Sequence, residues 1–230
     1  MQLRLSLTLL LSASACFGAA SLQDVYARMD KAAATFKGFT ADWERVDHEN
    51  FVNSDDKFTG TIAFRKTGPR SVQVLEKFLT ENGQPNLQEI SIDGTHVAKY
   101  TPKTNTVAED DLGRKYHGLI DAVLLMGLGG TSKELQQDYK VTFGGPETVK
   151  GQPATRLLLN PNDPQLAQMF PKIEVWISDD TGIAVQQKLY EKGDLDYKIQ
   201  TYSNMKFGPV ADAQVKLNLP KGVHRERLFH

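Results

Sequence analysis

The chain has 230 residues, of which 27 are basic and 28 are acidic, so its net charge is −1 at pH 7. This balance excludes the basic footprint of a nucleic-acid-binding protein and gives no strong attraction to an anionic membrane surface. Without its N-terminal segment the chain keeps roughly 210 residues, enough for one domain with a sizeable core.

The first twenty residues have the order of an export signal. Arg4 supplies a short positive region, Leu5 to Leu11 an apolar one, and small residues lead to Ala20. This segment is too short to span a bilayer, and no later stretch approaches the roughly 18 consecutive apolar residues of a membrane helix. We therefore expect cleavage near Ala20, a mature chain of residues 21–230, and a periplasmic location.

A lipid-anchored form is the alternative. The single cysteine, Cys16, follows Ala13-Ser14-Ala15, which loosely fits a lipobox, although Ala13 stands where a leucine is usual. Cleavage after Ala20 would leave no thiol in the mature chain, whereas processing at Cys16 would make that residue the acylated N-terminus. The sequence leaves both forms open.

The residues after the signal predict one helix and then strands. Apolar residues recur at steps of three and four from Leu22 to Lys37, with Ser21 and Asp24 placed as a capping pair and Gly38 as the end. The period then changes to two, as in Phe58 to Phe64. Closely spaced turns, of which Asp93-Gly94 is the strongest hairpin signal, predict an antiparallel meander of about ten or eleven strands.

Two later segments complete the predicted fold, which is mainly β (α+β) with two or three helices. His117 to Leu128 is an apolar segment with helical character, and Leu119 to Leu128 is apolar on nearly all sides, so a helix there must be covered on two faces or must itself cover a cavity. In the last third, Ile173, Val175 and Ile177 begin an aliphatic face. We expect the opposite face to be solvated and to carry the following residues: Glu174, Trp176, Gln186, Lys188, Tyr190, Lys198, Gln200 and Tyr202. A last strand is expected at Val215 to Leu219.

No constellation of catalytic residues is evident. The histidines lack metal-ligand spacing, no nucleophile elbow is present, and the pairs Asp110-Asp111 and Asp179-Asp180 fall in predicted turns, where Asp is favoured for local hydrogen bonding. We therefore expect a binding protein without cofactor or metal, not an enzyme.

The ordered segments of the mature chain resemble the LolA family, the periplasmic carriers of outer-membrane lipoproteins. The segments are Val25 to Asp30, Phe36 to Trp43, Gly60 to Phe64, Ile92 to Pro102, Val175 to Ile183, Gly193-Asp194 and Leu219 to Val223. The resemblance implies an incomplete, strongly curved antiparallel barrel whose concave side is lidded by helices. It also implies acylated lipoproteins or another lipid as cargo, an inner-membrane lipoprotein-releasing transporter and an outer-membrane acceptor as partners, and a monomer.

Two departures from the family accompany the resemblance. The stretch Phe64 to Arg70 is two residues longer than the family's step to proline, where an arginine is thought to latch the lid, so Arg65, Lys66 or Arg70 could serve. Val97-Ala98-Lys99 replaces a hairpin tryptophan. A lipid-anchored LolB-like receptor, or an envelope sensor or interaction module on the same fold, is the alternative function.

The candidate lipid-binding cavity combines alternate strand residues with residues of the expected lid. Its members are Ile62, Phe64, Val72, Val74, Ile90, Ile92, Leu124, Leu125, Leu128, Ile173, Val175 and Ile177.

Overall fold

The computed structural model describes residues 21–113, 122, 125–193 and 195–228. Most of the apolar segment from His117, including Leu124, lies outside these residues. Four helices lie in the described part of the chain: α1 (Leu22–Ala33), α2 (Ser132–Asp138), α3 (Pro164–Met169) and α4 (Asp212–Val215). The strands are β1 (Gly38–Glu49), β2 (Ser54–Gly68), β3 (Ser71–Glu81), β4 (Gln84–Asp93), β5 (His96–Thr101), β6 (Thr106–Asp111), β7 (Tyr139–Val149), β8 (Gln152–Pro161), β9 (Lys172–Ser178), β10 (Ala184–Tyr190), β11 (Tyr197–Phe207) and β12 (His224–Arg227).

Helix α1 begins where the capping pair predicts. The Asp24 amide donates to Ser21 Oγ at 3.3 Å, and the Ser21 amide donates to Asp24 Oδ2 at 2.9 Å, so two free amides of the first turn are satisfied. The helix ends at Ala33, before the expected Lys37, because the chain turns there. That turn brings the Phe36 ring to 6.0 Å from the ring of Phe64.

All strands form one sheet in the order β12-β6-β5-β4-β3-β2-β1-β11-β10-β9-β8-β7. Neighbours are antiparallel except β12, which runs parallel to β6. The long pairing of β1 with β11 joins the two halves of the meander, and the outermost strands, β12 and β7, are not hydrogen-bonded to each other. The predicted incomplete, curved barrel is confirmed, with twelve strands in place of ten or eleven.

The last predicted strand is wrong. Val215 ends helix α4, and residues 216–219 form no strand. Leu217 and Leu219 instead pack against Ala98, Tyr100 and Val107 on the outer face of the sheet. Their alternation reflects contact with a sheet face, not pairing at an edge.

One cluster of buried side chains fills the inner face. Phe39 and Phe64 stack with ring centroids 5.4 Å apart, and the Trp43 ring meets Phe78 edge-on at 4.8 Å. Helix α1 covers this cluster with Val25 and Met29, which are 0% and 1% exposed. The buried apolar face of the sheet and the helix therefore share one core.

The prediction of which β11 side chains face outward is wrong. Tyr202 pairs with the inward-facing Trp43 and is buried in the core, while Tyr197 stacks on His48 on the outer side. The register of β1 on β11 shifts between Thr40 and Asp42, and this irregularity sets which side of β11 faces inward.

Trp176 faces outward as predicted but is not solvated. It is 5% exposed and packs with Val149, Ala154 and Val185 in a second cluster on the outer face. Glu174, on the same face of β9, is 7% exposed. Part of the predicted solvated face is therefore buried.

Among the described residues, none of the helices has the length and apolar character needed to cross a bilayer.

Gly60 allows the close approach of Trp43 to the sheet. A Cβ at Gly60 would lie 2.0 Å from the Lys77 carbonyl oxygen and 2.7 Å from the Trp43 ring. Gly60→Ala is therefore expected to lower the free energy of unfolding by about 1–3 kcal/mol, as measured by urea denaturation. Gly68→Ala is the control, because its nearest new contact would be Ser71 Cβ at 3.6 Å. An equal loss in both variants would contradict this account.

Candidate functional site

The inner face brings most of the predicted cavity residues together. The buried cluster contains Ile62, Phe64, Val72, Val74, Leu125, Leu128, Ile173, Val175 and Ile177. Ile90 and Ile92 are partly buried and pack against it. Leu124 lies outside the described residues, and whether any of these residues contacts lipid stays a prediction.

The inner face is closely packed around Leu125 and Met126. Beneath the segment that follows Ala122 lies a cavity of about 10 Å³, lined in part by Met29, Leu125, Met126 and Tyr139. That volume is close to the smallest that can hold one water molecule. The structure is therefore closed at this point, and a large ligand that entered here would have to displace the covering segment.

The covering segment is a turn, Leu125 to Gly130, which we call the lid turn. Gly127 lies directly on the sheet, since a Cβ there would be 2.9 Å from atoms of Ala184 and Ile177 and 3.0 Å from Val175. Its φ of 74° is also one that glycine adopts without strain. A glycine at this position lets the backbone of the lid turn touch the wall of the sheet.

Three donors hold carbonyl groups of the lid turn. Lys66 Nζ donates to the Gly129 oxygen at 2.8 Å, Gln187 Nε2 to the Met126 oxygen at 2.7 Å, and the Ala184 amide to the Gly127 oxygen at 2.8 Å. The Gln187 amide oxygen in turn accepts from Tyr202 Oη at 2.9 Å. Strands β2 and β10 thus hold the lid turn from two sides of the curved sheet.

The three basic latch candidates have different contacts. Lys66 reaches the lid turn, and Arg70 forms an ion pair of 2.9 Å with Asp138 at the end of α2. Arg65 lies on the opposite face, where it contacts Gln73 and Asp212 of α4. Alternation along β2 places Lys66 and Arg65 on opposite faces, so Lys66, and not Arg65, contacts the lid turn. Which of the three residues latches a lid stays a prediction.

Helices α1 and α2 are joined by one carboxylate. Asp30 Oδ1 accepts from the Ser132 amide at 2.7 Å, and Asp30 Oδ2 accepts from Ser132 Oγ at 2.8 Å. Thr131 and Glu134 complete a capping box at the start of α2. Thr-x-x-Glu is a local signal for this helix start, whereas nothing local identifies Asp30 as its partner.

A polar group on the inner face lies toward the β1–β2 turn and was not predicted. The Arg45 guanidinium lies 4.8 Å from the Phe58 ring centroid and 5.0 Å from that of Phe78, and Arg45 Nε is 2.9 Å from Asp47 Oδ1. Gln200 Nε2 donates to Glu76 Oε1 at 3.1 Å. These residues face inward because each pairs across the strands with inward neighbours.

Desolvation dominates the titration of both carboxyl groups in this region. It raises the pKa of Glu76 above its ordinary value, against the opposing hydrogen bond from Gln200 and the charge of Arg45. It also raises the pKa of Asp47, against the nearby positive charge of Arg45. Ionised carboxylates are therefore costly at this end of the inner face.

In the part of the chain that the structure describes, no group of three His, Cys, Asp or Glu side chains is placed to hold a metal ion.

No protein-family model matches the chain, and no match is found among curated proteins. Solved structures do match. An uncharacterized conserved protein from Thermus thermophilus has a TM-score of 0.55 at 14% identity, over 90% of this chain and 99% of that one. A chain of the Pseudomonas aeruginosa MucA/MucB complex has a TM-score of 0.50 at 18% identity, over 86% of this chain and 61% of its own length.

A LolA superfamily protein from Nitrosomonas europaea also matches, with a TM-score of 0.40 at 12% identity over 86% of this chain and 99% of that one. The first two likenesses show the fold alone. That fold is the open, curled sheet that the resemblance to the LolA family implied.

Replacing Glu76, whose carboxyl is shielded from water, should stabilise the protein at high pH. A carboxyl whose pKa is raised on folding contributes stability below its ordinary pKa of 4.5, and this contribution is lost as the pH rises through the folded pKa. Glu76→Gln stays neutral and keeps an oxygen that can accept from Gln200. We expect it to exceed the wild type in free energy of unfolding at about pH 8 and to match it at about pH 4.

Urea titrations at the two pH values measure this difference. Glu89→Gln is the control, because Glu89 pairs with Lys77 at 3.1 Å on the outer face and its neutralisation should bring no gain. Equal stabilities of Glu76→Gln and wild type at the higher pH would show that Glu76 is well solvated.

Proposed function

We propose that this chain is a carrier, not an enzyme, and that the inner face of the half-barrel binds the acyl chains of lipoproteins or of another lipid. The observation that carries the proposal is a continuous apolar wall closed by a short lid turn, which packs on the sheet at Gly127 and is held by hydrogen bonds from Lys66 and Gln187. The carrier would move its cargo through the periplasm from the inner to the outer membrane. Its partners would be a lipoprotein-releasing transporter and an outer-membrane acceptor.

The free energies of acyl-chain burial and of lid-turn opening support reversible binding. A sixteen-carbon acyl chain gains on the order of 12 kcal/mol when it leaves water for an apolar site, at about 0.8 kcal/mol per CH₂. Breaking the three hydrogen bonds to the lid turn costs about 0.5–1.5 kcal/mol each. An acyl chain that also replaces the apolar packing of the lid turn against the wall would therefore offset the loss of these hydrogen bonds.

The membrane changes this balance. A bilayer offers an acyl chain the same apolar burial, so transfer from bilayer to carrier is nearly neutral before the cost of opening is counted. Direction must then come from the proteins that give and receive the cargo. A short lid turn, whose apolar packing an acyl chain can replace, suits a carrier that has to release what it binds.

An envelope sensor or interaction module on the same fold is the second candidate. It is supported by the likeness to a chain of the Pseudomonas aeruginosa MucA/MucB complex, a structure in which two proteins are assembled. A lipid-anchored, LolB-like receptor belongs to this alternative, through acylation at Cys16. Mass spectrometry of the mature N-terminus separates an anchored chain from one cleaved near Ala20.

Native mass spectrometry and a fluorescent acyl probe test the carrier proposal. Protein purified from a bacterial periplasm is expected to retain lipid or to bind the probe in about a one-to-one ratio. Val175→Thr, which keeps the side-chain volume and places a hydroxyl in the wall, should weaken probe binding about tenfold while the far-ultraviolet spectrum stays native. A wild-type protein that carries no lipid and ignores the probe would overturn the proposal.

Loosening the lid turn should speed binding. Gly127→Ala forces a Cβ against Ala184 and Ile177, and it strains a backbone with a φ of 74°. If this costs the closed state ~1.4 kcal/mol, the probe should associate about tenfold faster, because binding requires the open form.

Gly151→Ala is the matched control for stopped-flow measurements. Its φ is 81°, so its backbone strain is similar, but no atom lies within 4 Å of the new Cβ. Equal association rates for Gly127→Ala and Gly151→Ala would show that contact between the lid turn and the sheet does not limit entry.

A further inference from the structure

Among the residues that the structure describes, one end of the half-barrel carries most of the exposed large apolar side chains. We call this end the rim; it contains the β1–β2 turn, the β10–β11 turn and the α3 connection between β8 and β9. In the β1–β2 turn Phe51 is 98% exposed and Val52 is 58% exposed. In the β10–β11 turn Leu195 is 60% exposed, and in the α3 connection Met169 is 52% exposed. Single exposed apolar residues are ordinary, but a succession of them on neighbouring connections is not.

The sheet order places these connections side by side. Strands β2, β1, β11, β10, β9 and β8 are consecutive neighbours, and strands lie about 4.8 Å apart. The three connections are therefore about 10 Å apart along the rim. The Asn50 amide donates to Asp196 Oδ1 at 2.8 Å, which ties the first two turns together.

The opposite end of the sheet has a different surface. Among the described residues, the other exposed large apolar side chains are Leu79 and Leu87, on β3 and β4 near the turn at the rim end, and Phe207 at the end of β11. Phe207 pairs with Phe39 at the far end of the sheet from the rim. Within the described part of the chain, the apolar exposure is therefore polarised toward one end.

We propose that the rim docks on the surface of a bilayer of zwitterionic phospholipid, with Phe51 and Val52 inserted at the interface. The apolar side chains stand on separate protruding turns, so a protein partner would need a socket for each of them. A lipid interface accepts such side chains at any spacing, and aromatic residues favour that depth.

The charged residues beside the exposed apolar side chains of the rim favour one kind of lipid. Segments 49–57 and 191–198 contain six acidic residues and three lysines. The net negative charge of these segments would be repelled by anionic head groups, whereas zwitterionic head groups carry no net charge to repel it. The rim is thus suited to a zwitterionic surface.

The inner face matches this orientation. Arg45 and Asp47 follow Trp43 toward the rim, so polar side chains lie nearest the bilayer and the apolar wall lies behind them. An acyl chain entering from the rim would meet groups suited to head groups before it reached the core. Docking would shorten the path that cargo travels through water.

Tryptophan reporters test the proposal. Trp43 and Trp176 are 1% and 5% exposed, so an added exposed tryptophan can be followed by its emission. The emission of Phe51→Trp is expected to shift to shorter wavelength when phosphatidylcholine or phosphatidylethanolamine vesicles are added. The shift should be smaller when the vesicles also contain phosphatidylglycerol. Phe207→Trp, at the opposite end, is expected not to shift.

Vesicle flotation measures the affinity. The double variant Phe51→Ser/Val52→Ser should lose at least about tenfold in partitioning to zwitterionic vesicles, while Phe207→Ser should bind like the wild type. No vesicle association by the wild type, a preference for anionic vesicles, or equal losses in both variants would each overturn the proposal. A rim built for a protein partner would give the first of these results.

The acyl probe separates this proposal from the carrier function. The double variant should still bind the probe in solution, because Phe51 and Val52 lie outside the buried inner cluster. Failure of the wild type to bind the probe would contradict the carrier function. The vesicle measurements test docking on a membrane whether or not the protein binds the probe.

Discussion

An open sheet that curls around one apolar face cannot shield that face by itself, so other parts of the chain must cover it. Helix α1 does so with Val25 and Met29, and the lid turn does so with Leu125 and Leu128. The burial of this inner face is the main source of stability, since apolar area removed from water contributes about 25 cal/mol per Å². The positions of the helices and of the lid turn follow from that requirement.

The contacts that close the inner face are of two kinds. Gly127 packs against the wall without a side chain, while Lys66 and Gln187 donate to carbonyl groups of the lid turn. Apolar packing stabilises the closed form over its whole contact area, whereas each hydrogen bond adds a small stabilisation that depends on its direction. Such a closure can open when an acyl chain replaces the packing of the lid turn.

Much of the fold could be predicted from local signals, and much of the site could not. The Ser21–Asp24 capping box and the Asp93-Gly94 turn depend on residues a few positions apart, and both are confirmed. Alternation also identified Ile173, Val175 and Ile177 as buried. Asp30 and Gln187 escaped prediction because their partners lie 102 and 61 residues away in the chain.

The sequence by itself determined most of the helices and strands and, within an unbroken strand, which residues share a face, but it wrongly predicted a strand at Val215 to Leu219. Only the tertiary structure decided which face is buried where both look alike, as for Tyr202 on β11. It also showed that Lys66, not Arg65, faces the lid turn. The physical reason is that alternation fixes relative side but not absolute side, and the register between distant strands fixes the latter.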